Sequence, residues 1–461
     1  MLKAPGNSRR ADDVAHVLHP YTNARRHERQ GPMVIERGSG VHVYDDDGNE
    51  YIDGLAGLWS VAVGFGERRL VEAATRQMEM LPYYHTFSHK SHDPCIALAR
   101  KLVQMTPDHL QHVFFTNSGS EANDTVVKFV WYYNNVLGRP DKKKIISRLG
   151  AYHGVTVAAG SLTGLPWNHA QFDLPIDNIL HTGCPHHYRF AHEDEDEAAF
   201  AERLADELEA LILDQGPETV AAFIGEPVMA AGGVIVPPAG YWEKVQAVCR
   251  KYDVLLIADE VITGLGRTGR LFGSELYGLK PDMLVLSKQI TSSYMPLASI
   301  LITDEIYQTI ADGSDAVGTL GHGFTASGHP VATAVALENL KIIEERDLVA
   351  NAAAMGDVLQ HGLRAFEDHP LVGEVRGVGL IAAVELVADK ASKRPFEPTG
   401  RLGSYVYDRA HEHGLIVRSI RDAIAFCPPL VISADETGTM LSRFSATLDD
   451  AMAWVEGGMA S

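Results

Sequence analysis

Three places in this 461-residue chain put reactive or anion-binding groups where a parallel sheet would present them. Lys288 directly follows the apolar run Met283–Ser287. A lysine ending a buried strand sits in low dielectric, which lowers its pKa and frees a nucleophilic amine. A single lysine so placed is more often a snorkelling surface residue. Asp259-Glu260 closes Val254–Ala258, a second wholly apolar run. An acid there suits a metal or a protonated ring nitrogen, and it serves equally well as a cap for a neighbouring loop. Asn117-Ser118-Gly119-Ser120 lies between a strand-like run and a helix-like window. Small residues with outward amides at a helix start suit a phosphate. Ordinary capping, with Ser120 as the N-cap, explains that segment as well when it is taken alone.

The combination is more specific than its members. In open α/β sheets, ligands bind beyond the carboxyl ends of the strands. A phosphate cradle, a strand-end acid and a strand-end lysine on one edge are what pyridoxal 5′-phosphate requires: a lysine Schiff base, a partner for the pyridinium nitrogen and an anion site.

Two other patterns carry less. Gly264-Leu265-Gly266-Arg267-Thr268-Gly269 is a literal G-x-G-x-x-G. A dinucleotide fingerprint must follow a strand immediately and open a helix. Here Asp259 to Thr263 intervene, and Gly273 and Gly278 follow. A nicotinamide site is therefore rejected. His181, Cys184, His186, His187 and His192 cluster in sequence, but Pro185 and the irregular spacing fit no closed zinc site. A polar loop is expected there, and no metal. No Walker A pattern or G-x-S-x-G elbow is present.

The elements that must position these groups alternate from about residue 68. Short apolar runs at His112–Thr116, Lys144–Arg148, Ala221–Gly225, Val254–Ala258 and Met283–Ser287 are separated by helical windows. They lack clean alternation, as strands buried on both faces of a parallel sheet do. The spacing predicts helices from Asp93 to about Met105 and from Ser120 through Trp131. Beyond residue 330, helices over Pro330–Glu344 and Ala350–Glu367 precede short strands near Val372–Arg376 and Ile381–Val387. Val41–Leu55, with Asp47-Gly48 inside it, reads as a hairpin. The expected class is α/β: a mostly parallel central sheet with helices on both faces, plus a smaller α+β domain. The expected division is an N-terminal arm and part of the small domain (1–60), a large cofactor domain (61–329) and a C-terminal small domain (330–461).

Forty basic against sixty acidic residues give a formal charge of −20. That balance argues against a nucleic-acid or anionic-membrane partner. No run approaches the roughly 18 apolar residues of a membrane span. Met1–Ala15 has no apolar signal core. The four cysteines, Cys95, Cys184, Cys249 and Cys427, are too few and too scattered for a disulfide scaffold. Buried thiols in a cytoplasmic protein are expected.

The chain resembles the class III, or ω-amino acid, aminotransferases of fold type I, over nearly its whole length. The carriers are Leu55-Ala56-Gly57-Leu58-Trp59, Thr116 to Asn123, Tyr152-His153-Gly154, Gly225-Glu226-Pro227, Ala231 to Pro238, Asp259 to Gly269, Ser287-Lys288, Gly321 to Thr325 and Arg376 to Gly379. The resemblance implies that Lys288 holds the cofactor as a Schiff base and shuttles a proton. It implies that Asp259 bonds the pyridine nitrogen and that Tyr152 stacks on the ring, with Val261 on its other face. Ser118, Gly119, Ser120, His153, Glu226 and Phe324 would complete the cofactor site, with Thr325 reaching the phosphate from a neighbouring subunit. Tyr21, Trp59, Phe87 and Ala231 would line the substrate pocket. Arg418 would grip a substrate carboxylate, with Glu226 as its resting partner. One departure stands out: Gln289 follows the lysine where the family usually has glycine.

The activity so implied is transfer of an amino group from an amine or ω-amino acid to a keto acid, pyruvate above all, by a ping-pong route in a homodimer or tetramer. An aminomutase or decarboxylase on the same fold would keep Lys288 and Asp259.

Overall fold

The computed structural model describes residues 8–458. Its centre is a seven-stranded sheet in the order Leu110–Thr116, Ala298–Thr303, Met283–Leu286, Leu255–Asp259, Val220–Gly225, Lys144–Arg148, Ile179–Thr182. Only Ala298–Thr303 runs against its neighbours. The other pairings are parallel. The carboxyl ends of six strands therefore share one edge, the edge on which Lys288, Asp259 and the 117–120 turn fall.

Alternate residues of each strand enter opposite cores, as strand geometry requires. Ile257, Val285 and Ile300 pack with Val126, Phe129 and Ile306 on one face. Leu284, Leu286 and Leu301 meet Leu98, Leu102 and Leu340 on the other. Farther along that second face, Leu256 and Phe223 meet Phe200, Leu208 and Trp242. Helices thus cover both sides, and the expected class holds.

A separate core joins the two ends of the chain. Val41, Ile52, Val63 and Leu70 pack with Val384, Leu415, Phe426 and Phe444. The expected hairpin forms as His42–Asp45 against Glu50–Asp53, with Gly48 at φ +85° in its turn. Leu415–Ile416 then adds to Glu50–Asp53 in parallel. Val372–Val378, Ile381–Leu386, Ala423–Phe426 and Arg418–Ile420 build a second small sheet.

Two strands of the central sheet went unforeseen. Ala298–Thr303 is an apolar run shortly after Pro296, where a loop is the natural reading. Ile179–Thr182 is short and contains His181. The helix after Thr116 spans Gly119–Val136, and its N-cap is Ser118, whose Oγ accepts from the Glu121 amide at 3.2 Å. Ser120 is therefore not the cap. The helix Asp93–Met105 is capped by the His92 ring rather than by a serine or aspartate. All four cysteines are buried and free.

Candidate active site

At the shared strand edge lies an open-mouthed cavity of about 200 Å³. Ser118, Gly119 and Ser120 line it together with Tyr152, His153, Glu226, Asp259, Val261 and Lys288. Nine of the residues singled out from sequence therefore meet in one place.

Asp259 is 3% exposed and tightly held. Its Oδ2 accepts from Asn123 Nδ2 at 2.9 Å and from His153 Nδ1 at 2.7 Å, and its Oδ1 accepts from the Val261 amide at 3.1 Å. Asn123 also donates to the His153 carbonyl at 2.7 Å. Glu260 does a different job. It is buried away from the cavity and accepts from the Gly273 and Ser274 amides and from Thr263 and Ser274 hydroxyls. Of the acidic pair, only Asp259 lines the cavity.

Lys288 opens onto the same space with its backbone at φ +46°, a left-handed conformation that costs a residue with a Cβ. Burial pulls its pKa below the ordinary lysine value, against the opposing pull of Asp259 and Glu226. Its amine forms no hydrogen bond or ion pair among the described residues. The snorkelling alternative fails, because the side chain turns inward.

At the 117–120 turn an 18-residue helix begins, so its first amides and its dipole favour an anion. The space above it depends on glycine. A Cβ on Gly119 would lie 3.3 Å from Val261, and one on Gly154 would meet Ser120 Oγ at 2.6 Å. Tyr152 and Val261 line the slot between, and burial raises the Tyr152 phenol, which keeps it neutral. An anion cradle, a flat slot, a fixed acid and a free amine fit pyridoxal phosphate.

Arg418 sits beside this cavity in strand Arg418–Ile420. Burial lowers its pKa, opposed only by Tyr152, Tyr21 and Tyr407. Among the described residues it has no carboxylate partner, and its buried Nε makes no hydrogen bond. The expected pairing with Glu226 is absent. Glu226 lies beneath Tyr152, accepting from the Tyr152 amide at 3.0 Å and the Ala230 amide at 3.3 Å. Each of its oxygens thus accepts from a backbone amide rather than from the arginine.

The expected substrate residues are less concentrated. Tyr21 is at the rim, edge-on to Tyr152 at 6.4 Å, with its hydroxyl accepting from Asn168. The arm that carries it is tied by Asp13, whose carboxylate meets His19 and His27. Trp59 is 2% exposed and packs with Val228, Ala230 and Ile262 next to the cavity wall. Ala231 is half-buried outside the lining. Phe87 lies against Gly323, and Phe324 and Thr325 are also away from this chain's cavity. Tyr83 donates to the Thr325 carbonyl at 2.7 Å.

Residues that sequence reasoning gave no role at the site are Asn123 and the lining residues Thr291, Ser293, Met295 and Leu297, with Tyr407 near Arg418. Asn123 carried a legible signal, one helical turn after Gly119 and so on the same face. The glycine string 264–269 packs backbone against the small domain. A Cβ on Gly379 would strike Thr268 at 2.4 Å, and one on Gly269 would lie 3.0 Å from Ala353. The 181–192 histidines do not converge. His186 pairs with Glu374, which Arg376 neutralises. Among the described residues no helix is long and apolar enough to cross a membrane.

Comparison with known proteins gives an independent view of this arrangement. The family model Aminotransferase class-III matches residues 23–448. Gamma aminobutyrate transaminase 3, chloroplastic, of Solanum lycopersicum is 48% identical over 435 residues, covering 94% of this chain and 84% of that one. The structure of the omega transaminase from Pseudomonas jessenii in complex with PMP is 62% identical, with a TM-score of 0.97 over 98% of this chain and 100% of that one. A transaminase structure with L-Ala is also 62% identical, with a TM-score of 0.91 over 92% of this chain and 100% of that one.

Proposed function

The chain belongs to the class III aminotransferases, pyridoxal-phosphate enzymes that transfer amino groups, and from that premise we propose that it moves the amino group of an amine or ω-amino acid to pyruvate. Arg418 is the observation that carries the acceptor. A largely buried guanidinium with no carboxylate of its own awaits one from the substrate. The transaminase neighbour that holds L-Ala supports the same choice, because alanine is the aminated form of pyruvate.

Pyridoxal phosphate, when bound, supplies a carbonyl that captures the donor amine and a pyridinium ring that acidifies the adjacent C–H. The rest falls to residues of this chain. Asp259, fixed by Asn123, His153 and the Val261 amide, holds a proton on the ring nitrogen. The first-turn amides after Ser118 bind the phosphate. Tyr152 and Val261 would hold the ring from its two faces. Lys288, whose pKa burial lowers, keeps more of its amine neutral near pH 7 than an exposed lysine would, free to attack and to carry a proton as general acid–base. Glu226 steadies Tyr152 through its backbone amide.

Trp59, Tyr21 and the Phe87 of a second copy give an apolar wall for a donor without a carboxylate. The exposed Thr325, turned from its own cavity, fits a homodimer in which it reaches the neighbouring phosphate. A cytoplasmic location is the accompanying reading. The curated relatives include chloroplastic and mitochondrial enzymes.

The test is a donor panel of amines and ω-amino acids against pyruvate and 2-oxoglutarate, followed by cofactor absorbance. Pyruvate should regenerate the starting spectrum. Regeneration by 2-oxoglutarate alone would reject the acceptor.

A further inference from the structure

Gln289 follows Lys288 and is 1% exposed. Its Nε2 donates to the Ile262 carbonyl at 2.6 Å and the Gly264 carbonyl at 2.9 Å. Two carbonyls can be met only by the amide nitrogen, so the orientation of the carboxamide follows from its partners. Those partners belong to the turn that starts at Asp259 and carries Val261. That turn is itself anchored, through Glu260, to the Gly273 and Ser274 amides.

The other side of the lysine loop is held as firmly. Asn339, fully buried, donates to the Gln289 carbonyl at 2.8 Å and the Ile290 carbonyl at 3.1 Å, and it accepts from Ser292 Oγ at 2.7 Å. Between these supports the backbone takes three positive φ values at residues with side chains: Lys288, Ser292 and Ser293. Gln289 itself has none, so glycine's freedom is not what this position requires. Such strain persists only where surroundings over-determine it.

Gln289 also leaves its Oε1 buried with no hydrogen-bond partner. An unsatisfied buried acceptor is costly, and a residue that merely filled space would be apolar. The side chain is kept for its two donated bonds.

We propose that Gln289 is a positioning residue that sets the Lys288 amine relative to Asp259 and Val261. The inference rests on the reading of Lys288 as the cofactor-bearing lysine. Gln289 touches no reacting atom. It fixes the register between the loop that supplies the amine and the turn that supplies the ring's acid partner and one face of its slot.

The test uses the holoenzyme with Gln289→Met, which keeps length and volume but donates nothing, and Gln289→Gly, which removes the strut without demanding a new backbone conformation. Both should retain full cofactor content. Single-turnover kcat with a donor amine should fall about tenfold in the methionine variant and further in the glycine variant, with KM changed by less than about twofold. The pH midpoint of the visible band of the lysine-bound cofactor should move by about half a unit or more in both, because the amine's surroundings shift. A purely structural role predicts lowered thermal stability with that midpoint unmoved, and this result would overturn the proposal. So would unchanged kcat in Gln289→Met. If the wild-type enzyme lacked a lysine-linked band altogether, the reading of Lys288 would fail instead.

Discussion

Replacing Asn123 with alanine tests whether Asp259 acts because of how it is held. Asn123 is 1% exposed and gives two hydrogen bonds, 2.9 Å to Asp259 Oδ2 and 2.7 Å to the His153 carbonyl. In the variant, the acid keeps only His153 and the Val261 amide, and the His153 carbonyl loses its bond from Asn123 while the His153 amide keeps Thr163. A hydrogen bond to a charged group contributes about 1.5–3 kcal/mol. If about half of that bears on the transition state, the barrier rises by about 0.8–1.5 kcal/mol, and each 1.36 kcal/mol is tenfold in rate. Conversion of the cofactor in a donor half-reaction, measured by single-turnover absorbance, should slow about four- to thirteenfold. Cofactor content should stay near one per chain, since the phosphate cradle and Lys288 are untouched. An unchanged rate would refute the reasoning, because Asp259 would then need no support from helix Gly119–Val136. Loss of cofactor with no loss of rate per bound cofactor would refute it as well.

Arg418→Ala should weaken pyruvate use by roughly ten- to a hundredfold in specificity constant, the loss of a charge-assisted pair, while a donor amine without a carboxylate changes far less. Separate half-reactions check this, and equal loss in both would assign Arg418 to the scaffold. Lys288 should also titrate below the ordinary lysine value in the cofactor-free enzyme. Its amine is neutral above that lowered pKa and becomes protonated as pH falls through it. Arg418 contributes to the lowering, so Arg418→Ala should raise the midpoint, read as the pH dependence of amine labelling at Lys288 by mass spectrometry. A midpoint at or above the free-lysine value would contradict the burial argument. Mixing Lys288→Ala chains with Thr325→Glu chains should restore activity, because one site of each hybrid dimer would carry neither lesion. Continued inactivity in confirmed hybrids would place Thr325 in its own subunit's site.

The strand-end logic made most of the site legible. Met283–Leu286, Val254–Ala258 and Val113–Phe115 are apolar because both faces of the sheet are covered, so the polar residues after each mark the ligand edge. The strand Ala298–Thr303 was hidden, because its run follows Pro296 and its antiparallel direction leaves no functional group at that edge. Family resemblance supplied Arg418, but its local partner depended on three-dimensional detail. Glu226 is spent on the Tyr152 and Ala230 amides, which no spacing reveals. Asn123 stayed unassigned because, with Ser120 read as the cap, it falls in the first turn, where a polar residue has an adequate capping explanation. Thr325 and Phe324 can be legible only as motif members, and Phe87 only through the resemblance, since one chain does not bring them to its own cavity.

The central claim is that Lys288 bears the cofactor. Borohydride reduction of the holoenzyme, followed by proteolysis and peptide mass spectrometry, would fix the cofactor to its lysine. The pyridoxyl mass should fall on the peptide containing Lys288, and Lys288→Ala should lose both the visible band and turnover. Modification of a different lysine, or a Lys288→Ala enzyme that keeps its band and its rate, would contradict the account.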